Sequence, residues 1–397
     1  MEEEIYKINE LSINQEKTEF CLCYNNGLKT FDLETFEENN SSNNFQFKLG
    51  SISLSILTPQ ENTVIFVGSQ YNKNYPNNKI VFFDINDKKE LFSKSFDKEI
   101  TNIKYVNNFL YICFGIDLKI YSYNNNTLEL KDEYTLSEEY INLFEVWETK
   151  EANNLITKIF LAYPYKKQLI ILFNTADDWK LGNKNNIDSP VNKIQNLFFI
   201  KKLNQLFIAD ENGIYIYGFD VDDGSTKICL RRGSNPGVIT SITFLNNNFL
   251  AINNINRTIH IFDLDINNNA FSFSNIVYNW VYGMQEIYPC IRIYYKDLIV
   301  GKEGEYNKSD FDKKGALLVS EDNGNELSVI SYNGYAYKIS INFKDLKYKV
   351  IKKEKYTEVK NLLLKEGKVK NLSLYNSYNA ANTEDKKDEK LEKDENS

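Results

Sequence analysis

The chain has 397 residues, of which 42% are hydrophobic and 14% aromatic, and its formal net charge is −8. General nucleic-acid binding is therefore not expected, because neutralising a phosphate backbone requires an excess of clustered Lys and Arg. A small local anion pocket is still compatible with this charge. The abundance of Tyr (27) and Phe (26), together with recurring Ile and Val, favours β-strands.

The N-terminus and the cysteines favour a cytoplasmic protein. Residues 2–4 are acidic and no apolar run follows them, so no signal peptide is expected. No segment approaches the roughly 18 uninterrupted apolar residues of a membrane span, so any membrane contact should be peripheral. Five cysteines without a framework spacing are typical of reduced thiols.

One short pattern recurs along the chain: a polar turn, then an alternating strand that usually closes on an aromatic residue and Asp or Asn. Its instances are residues 24–32, 77–84, 115–123, 166–174, 211–220, 255–263 and 332–340. The closing aromatics of the first six are 38 to 52 residues apart. A four-stranded propeller blade has roughly 40–45 residues. Further short strands precede each instance, and no sustained helical period interrupts residues 1–345.

We therefore predict an all-β fold, a seven-bladed, WD40-like β-propeller over residues 1–345. A single blade cannot bury both faces of its sheet, so the blades must stack around an axis. Residues 300–315 are polar and predict an exposed loop. Residues 346–380 are expected to form a C-terminal extension, either the last outer strand or a short helix. Residues 381–397 are dense in charge and predict a disordered tail.

The sequence offers little for catalysis. Its single histidine, His260, has no nucleophile-elbow sequence near it, and the chain contains no P-loop and no G-x-G-x-x-G. A histidine-based metal site would need more ligands. We therefore expect a protein that is not an enzyme and has neither a cofactor nor a metal.

The most informative stretch is residues 230–233, Leu-Arg-Arg-Gly. Consecutive residues on a strand point to opposite faces, so Arg231 and Arg232 are expected to face different neighbouring blades. Arginine suits phosphate because its planar fork donates parallel hydrogen bonds and is always charged. The pair predicts two separate basic pockets. The alternative is that both side chains are solvated, or paired with acids such as Asp222 and Asp223.

Residues 258–262, Thr-Ile-His-Ile-Phe, supply further polar groups. Alternation puts Thr258 and His260 on one face, near the expected position of Arg232. A protonated histidine donates to phosphate, so anion binding that strengthens as the pH falls from about 7.5 to 6 would implicate His260, and a flat profile would count against it. A purely structural histidine is the alternative.

These residues resemble the hallmark of the PROPPIN (WIPI) family of phosphoinositide-binding seven-bladed propellers. The hallmark is F/L-R-R-G followed by T-h-H-h-F, where h is apolar, and the resemblance covers roughly residues 5–345. It implies recognition of phosphatidylinositol 3-phosphate, with the 3,5-bisphosphate as a second candidate, at two rim pockets. It further implies that Arg231 serves the fifth-blade pocket, and that Arg232, Asn254, Thr258 and His260 serve the sixth-blade pocket.

The chain departs from the family at both pockets. Asn253 and Asn254 stand where the family usually has two serines, and an amide can still donate a hydrogen bond. In the first pocket, Asp210, Ile214 and Tyr217 replace the family's Ser, Thr and Arg. A carboxylate near a phosphate is unfavourable, so the sequence favours the sixth-blade pocket.

The family also inserts a loop of the sixth blade into the bilayer. The corresponding segment here is residues 265–277, and its candidate membrane contacts are Phe271, Phe273, Ile276 and Val277. A headgroup pocket and an apolar loop would together give the two signals that stable attachment needs. An ordinary blade connection with its aromatics packed inward is the alternative.

The resemblance implies an adaptor that recruits autophagy-type machinery to phosphoinositide-containing membranes. Its implied protein partners are a lipid-transfer scaffold and the complex that lipidates a ubiquitin-like protein. We expect a monomer in the cytoplasm, peripheral on phagophore, endosomal or vacuolar membranes. The alternative function is a propeller scaffold for protein contacts whose lipid binding is weak or lost.

Overall fold

The computed structural model describes residues 8–14, 16–39, 49–59, 63–124, 126–150, 157–175, 185–246, 248–265, 286–298, 315–320, 324–332 and 334–355. These residues form 28 β-strands in seven sheets arranged as a ring, a seven-bladed β-propeller. The predicted fold is therefore confirmed. Within the described residues, no helix has the length and apolarity to cross a membrane.

Each of the first four blades is an antiparallel meander. The strands are β1 (Ile8–Ile13), β2 (Glu19–Tyr24) and β3 (Leu28–Asp32) in blade one; β4 (Ile52–Leu57), β5 (Thr63–Gly68), β6 (Lys79–Asp84) and β7 (Lys89–Ser95) in blade two; β8 (Asn102–Val106), β9 (Phe109–Phe114), β10 (Asp117–Asn124) and β11 (Thr127–Thr135) in blade three; and β12 (Glu145–Lys150), β13 (Thr157–Tyr165), β14 (Gln168–Thr175) and β15 (Asn185–Asp188) in blade four.

Blades five to seven follow the same plan, with one addition. The strands are β16 (Ile194–Ile200), β17 (Gln205–Asp210), β18 (Tyr215–Asp220) and β19 (Thr226–Arg231) in blade five; β20 (Ile239–Phe244), β21 (Phe249–Asn254), β22 (Thr258–Asp263) and β24 (Pro289–Tyr294) in blade six; and β25 (Ala316–Ser320), β26 (Glu326–Ser331), β27 (Tyr335–Asn342) and β28 (Lys347–Lys355) in blade seven. The addition is β23 (Glu286–Ile287), which pairs in parallel with β19. Three single helical turns complete the described elements, at Glu138–Tyr140, Lys201–Leu203 and Tyr295–Leu298.

From blade one to blade seven, the first strand of each blade contacts the first strand of the blade that follows it in the chain, for example β16 with β20 and β20 with β25. The first strands therefore surround the axis and the later strands approach the rim. The recurring sequence pattern corresponds to the third strand of every blade. Five of its six closing aromatics are buried because both sheet faces pack against neighbours, as for Phe219 at 1% and Phe262 at 0% exposure, and the sixth, Phe173, is half-buried.

Apolar packing between blades fixes the direction of each polar side chain in the sixth blade. Phe262 packs with blade five, among Ile216, Leu230 and Ile287. Ile259 and Ile261 pack with blade seven. Each such buried side chain contributes about 1.5–3 kcal/mol. Because strand residues alternate, the even-numbered positions of β22 face blade five.

Blade seven gains its fourth strand from the start of the expected C-terminal extension. Strand β28 pairs with β27 from Asn342↔Lys347 to Tyr335↔Lys355. Residues 356–397, and the loop at 300–314, lie outside the described residues, so their predictions stay predictions. All five cysteines are free thiols.

Candidate functional site

The two adjacent arginines leave β19 in different directions. Arg231 is the last residue of the strand and lies opposite Tyr215 of β18, with its guanidinium 5.6 Å from the centre of the Tyr215 ring. The backbone N–H of Arg232 donates to the Ile214 carbonyl at 2.9 Å. The Arg232 side chain then turns toward blade six, where its Nη2 lies beside Gly237 and close to Asn256.

Arg232 is buried between blades five and six. It is 4% exposed. Its Nε donates to the Gly213 carbonyl at 2.7 Å, and its Nη2 donates to the Asn235 carbonyl. Burial lowers the pKa of Arg232, the nearby Asp210 carboxylate opposes this, and Arg292 reinforces it. Its remaining N–H groups have no hydrogen-bond acceptor among the described residues.

Three polar side chains of blade six form a hydrogen-bonded chain on the face that is directed toward blade five. The Asn254 amide donates to the Thr258 hydroxyl at 2.8 Å, and that hydroxyl lies 3.0 Å from Nε2 of His260. The β21/β22 register makes this possible by placing Asn254 directly opposite Thr258. If His260 carries its proton on Nδ1, the Thr258 hydroxyl donates to Nε2 and the Nδ1–H group is the unused donor. If His260 carries its proton on Nε2, that group donates to the Thr258 oxygen and the Thr258 hydroxyl hydrogen is unused. Either tautomer therefore leaves one neutral donor unused.

The protonation state of His260 differs from the expectation. Burial, followed by the positive charges of Arg232 and Arg292, lowers the pKa of His260 to about 3. Its Nδ1 is buried and has no hydrogen-bond partner in the described part of the chain. The imidazole is therefore neutral at physiological pH in the unliganded protein. A protonated donor at His260 would require a bound phosphate to raise this pKa, so that role stays a prediction.

The structure adds Arg292, which was missed in reading the sequence. Arg292 lies directly across from His260 in the β22/β24 register. It is exposed and has no carboxylate partner among the described residues. A usable signal was present: the chain has 47 basic residues, and its four arginines are Arg231, Arg232, Arg257 and Arg292. All four belong to blades five and six, and Arg257 lies in the turn that joins Asn254 to Thr258.

On the other side of blade five, Arg231 has an internal partner. Its Nη1 lies 3.3 Å from a carboxylate oxygen of Glu286. Neither Asp222 nor Asp223 forms this ion pair. Asp210, which the resemblance assigned to the fifth-blade pocket, acts electrostatically on Arg232 instead; it accepts hydrogen bonds from the backbone N–H groups of Gly213 and Ile214, and burial raises the pKa of its carboxyl.

Two further predictions concern the membrane-insertion residues and metal binding. Phe271, Phe273, Ile276 and Val277, the predicted insertion residues, lie outside the described residues. Among the residues that are described, no group of three or more His, Cys, Asp or Glu side chains is placed to hold a metal ion.

The fold and these contacts define a seven-bladed propeller in which Arg232, His260 and Arg292 lie close together where blades five and six meet. The chain is 24% identical over 267 residues to SVP1-like protein 2 of Schizosaccharomyces pombe, which corresponds to 65% of this chain and 68% of that protein. No family model matches the sequence.

Solved structures with the same fold include Kluyveromyces lactis Hsv2, with a TM-score of 0.65 at 11% identity. They also include a complex of KlAtg21 with the coiled coil of AgAtg16, with a TM-score of 0.63 at 15% identity. Each match covers 88% of this chain and 99% of the solved one. These neighbours confirm the resemblance to the PROPPIN propellers at the level of the fold.

Proposed function

We propose that the protein is a phosphoinositide-binding propeller adaptor, and that it is not an enzyme. Its headgroup pocket lies between blades five and six and comprises Arg232, Asn254, Thr258, His260 and Arg292. The observation that carries the proposal is the position of the arginines. A chain that otherwise uses lysine has all four of its arginines in these two blades, and arginine is the side chain suited to planar, bidentate recognition of phosphate.

The pocket combines two kinds of phosphate contact. Arg232 at the base and Arg292 at the exposed mouth supply positive charge, and after burial these two charges are the causes that lower the pKa of His260. The Asn254–Thr258–His260 chain supplies one neutral hydrogen-bond donor. Hydrogen bonds to charged groups contribute about 1.5–3 kcal/mol each, so two arginine contacts account for about 3–6 kcal/mol of binding. We assign phosphatidylinositol 3-phosphate as the ligand, with the 3,5-bisphosphate as a second candidate.

The adaptor role concerns membranes and autophagy-type proteins. The similarity to SVP1-like protein 2 and to the Hsv2 and Atg21 folds supports it. Since the Atg21 structure is a complex with the Atg16 coiled coil, a coiled-coil partner from the conjugation machinery is the first to test. The proposed location is peripheral, on phagophore, endosomal or vacuolar membranes, with residues 271–277 as the second, apolar attachment.

A second candidate function is a protein-interaction scaffold whose lipid binding is weak or lost. One observation favours it: Arg231, half of the arginine pair, is already neutralised by Glu286. The two candidates differ in what they require, because only the first needs the Arg232 pocket to bind a phosphate.

Liposome flotation tests the proposal. Vesicles of neutral lipid alone, with phosphatidylinositol, or with phosphatidylinositol 3-phosphate should recover the wild-type protein only in the last case. Arg292→Gln is the sharpest variant because Arg292 is exposed, and losing one charge-assisted contact should weaken binding about 10- to 150-fold.

The adjacent arginines provide a matched comparison. Arg232→Ala should weaken flotation more than Arg231→Ala, although the two changes remove the same group from neighbouring positions. Arg232 also holds two backbone carbonyls, so a thermal melt of each variant must accompany the assay. Equal flotation with and without the 3-phosphate would refute the lipid function and leave the scaffold, and equal flotation of wild type and Arg292→Gln would refute the contact assigned to Arg292.

A further inference from the structure

Strand β23 brings an acidic side chain to Arg231, which the proposed pocket does not use. Its two residues pair in parallel with the end of β19, with Cys229 opposite Glu286 and Leu230 opposite Ile287. Ile287 is buried between blades five and six. Alternation then directs Glu286 to the opposite face of the extended sheet, where Arg231 lies.

Glu286 and Arg231 form a closed polar cluster with Tyr288. The Glu286 side chain is only 3% exposed, whereas that of Arg231 is 36% exposed. The Tyr288 hydroxyl donates to Oε2 of Glu286 at 2.6 Å, and Nη1 of Arg231 donates to both at 3.3 Å. The rings of Tyr215 and Tyr288 lie 5.6 and 5.8 Å from the guanidinium.

This arrangement has the chemistry of an occupied anion site. A guanidinium and a phenol hydroxyl converge on one oxygen, as they would on an oxygen of a phosphate. Here the oxygen belongs to the chain itself. A phosphate approaching Arg231 would meet a buried carboxylate, and displacing that carboxylate would leave its charge unpaired in the interior.

We propose that Glu286 is an internal occupant of the anion site at Arg231, so that the molecule binds a single headgroup, on the Arg232 side. Arg231 is then a structural residue that fixes β23 to blade five. The single stoichiometry rests on the proposed function, whereas the ion pair does not. Glu286 thereby determines how many phosphates the two adjacent arginines can hold.

Calorimetric titration with short-chain phosphatidylinositol 3-phosphate, kept below its micelle concentration, tests the stoichiometry. Wild type should bind one equivalent. Glu286→Gln keeps the size of the side chain and can still accept from Tyr288, but it removes the competing charge, so it should bind two. Two equivalents in wild type, or one in Glu286→Gln, would overturn the proposal.

A lipid-free measurement keeps the ion pair testable if no headgroup binds at all. Thermal unfolding midpoints are compared for Arg231→Gln, Glu286→Gln and the double variant. Both single changes should lower the midpoint, and the double change should lower it by less than their sum, because the two groups stabilise each other. Strictly additive effects on the midpoint would overturn the ion pair. If calorimetry detects no headgroup binding but the midpoints are not additive, only the proposed lipid function is refuted.

Discussion

The buried imidazole of His260 should make the protein less stable as the pH falls, to an extent that can be worked out. His260 is 6% exposed, and its pKa in the folded protein is about 3 against an ordinary value of 6.5. The unfolded chain therefore binds a proton at pH values where the folded chain does not. Stability is full above about pH 6.5 and decreases as the pH falls below that value.

The magnitude follows from the unfolded-state titration. Between pH 7.5 and 5.5 an unfolded histidine changes from about 10% to about 90% protonated, while folded His260 stays neutral. Integrating this difference in bound protons gives a loss of about 1.4 kcal/mol in the free energy of unfolding. Because the chain has one histidine, no other imidazole contributes.

The assay is urea unfolding at the two pH values, followed by the fluorescence of the three tryptophans, for wild type and His260→Gln. Carboxylate contributions are common to both proteins and cancel in the comparison. Wild type should lose about 1.4 kcal/mol more than the variant. Equal losses in the two proteins would refute the reasoning, since they would mean that His260 titrates alike in the folded and unfolded states.

Two further outcomes are expected from the site and the packing of the blades. Headgroup affinity should not increase between pH 7.5 and 6, because His260 is already neutral there and a phosphate monoester takes up a proton near pH 6; rising affinity in a titration at three pH values would contradict this. Gly68→Ala should lower the urea midpoint strongly, because the new Cβ would lie 1.5 Å from the Tyr75 carbonyl oxygen, whereas Gly233→Ala, with nothing within 4 Å, should change it little. Similar midpoints for the two glycine variants would contradict that packing.

The blades could be predicted from the sequence because the features that define each strand lie within a few consecutive residues. A third strand such as residues 255–263 shows alternation, a polar turn and a closing aromatic within nine residues, and the spacing between repeats sets the blade count. Alternation also gave the directions of Thr258 and His260, which the β22 register reproduces.

The chemistry of the site depends on contacts that no local pattern encodes. Arg292 reaches His260 only through the β22/β24 register, across a long stretch of chain. The ion pair of Arg231 depends on a two-residue parallel strand returning to blade five. The pKa of His260 reflects burial and two guanidinium groups that come together only in the folded ring.

The most direct test of the account is a crystal structure of the protein with short-chain phosphatidylinositol 3-phosphate. The account predicts phosphate density in contact with Arg292 and beside Arg232 and His260, with the Arg231–Glu286 pair intact. Phosphate density bound to Arg231 with Glu286 displaced, or headgroup density at another part of the ring, would contradict it.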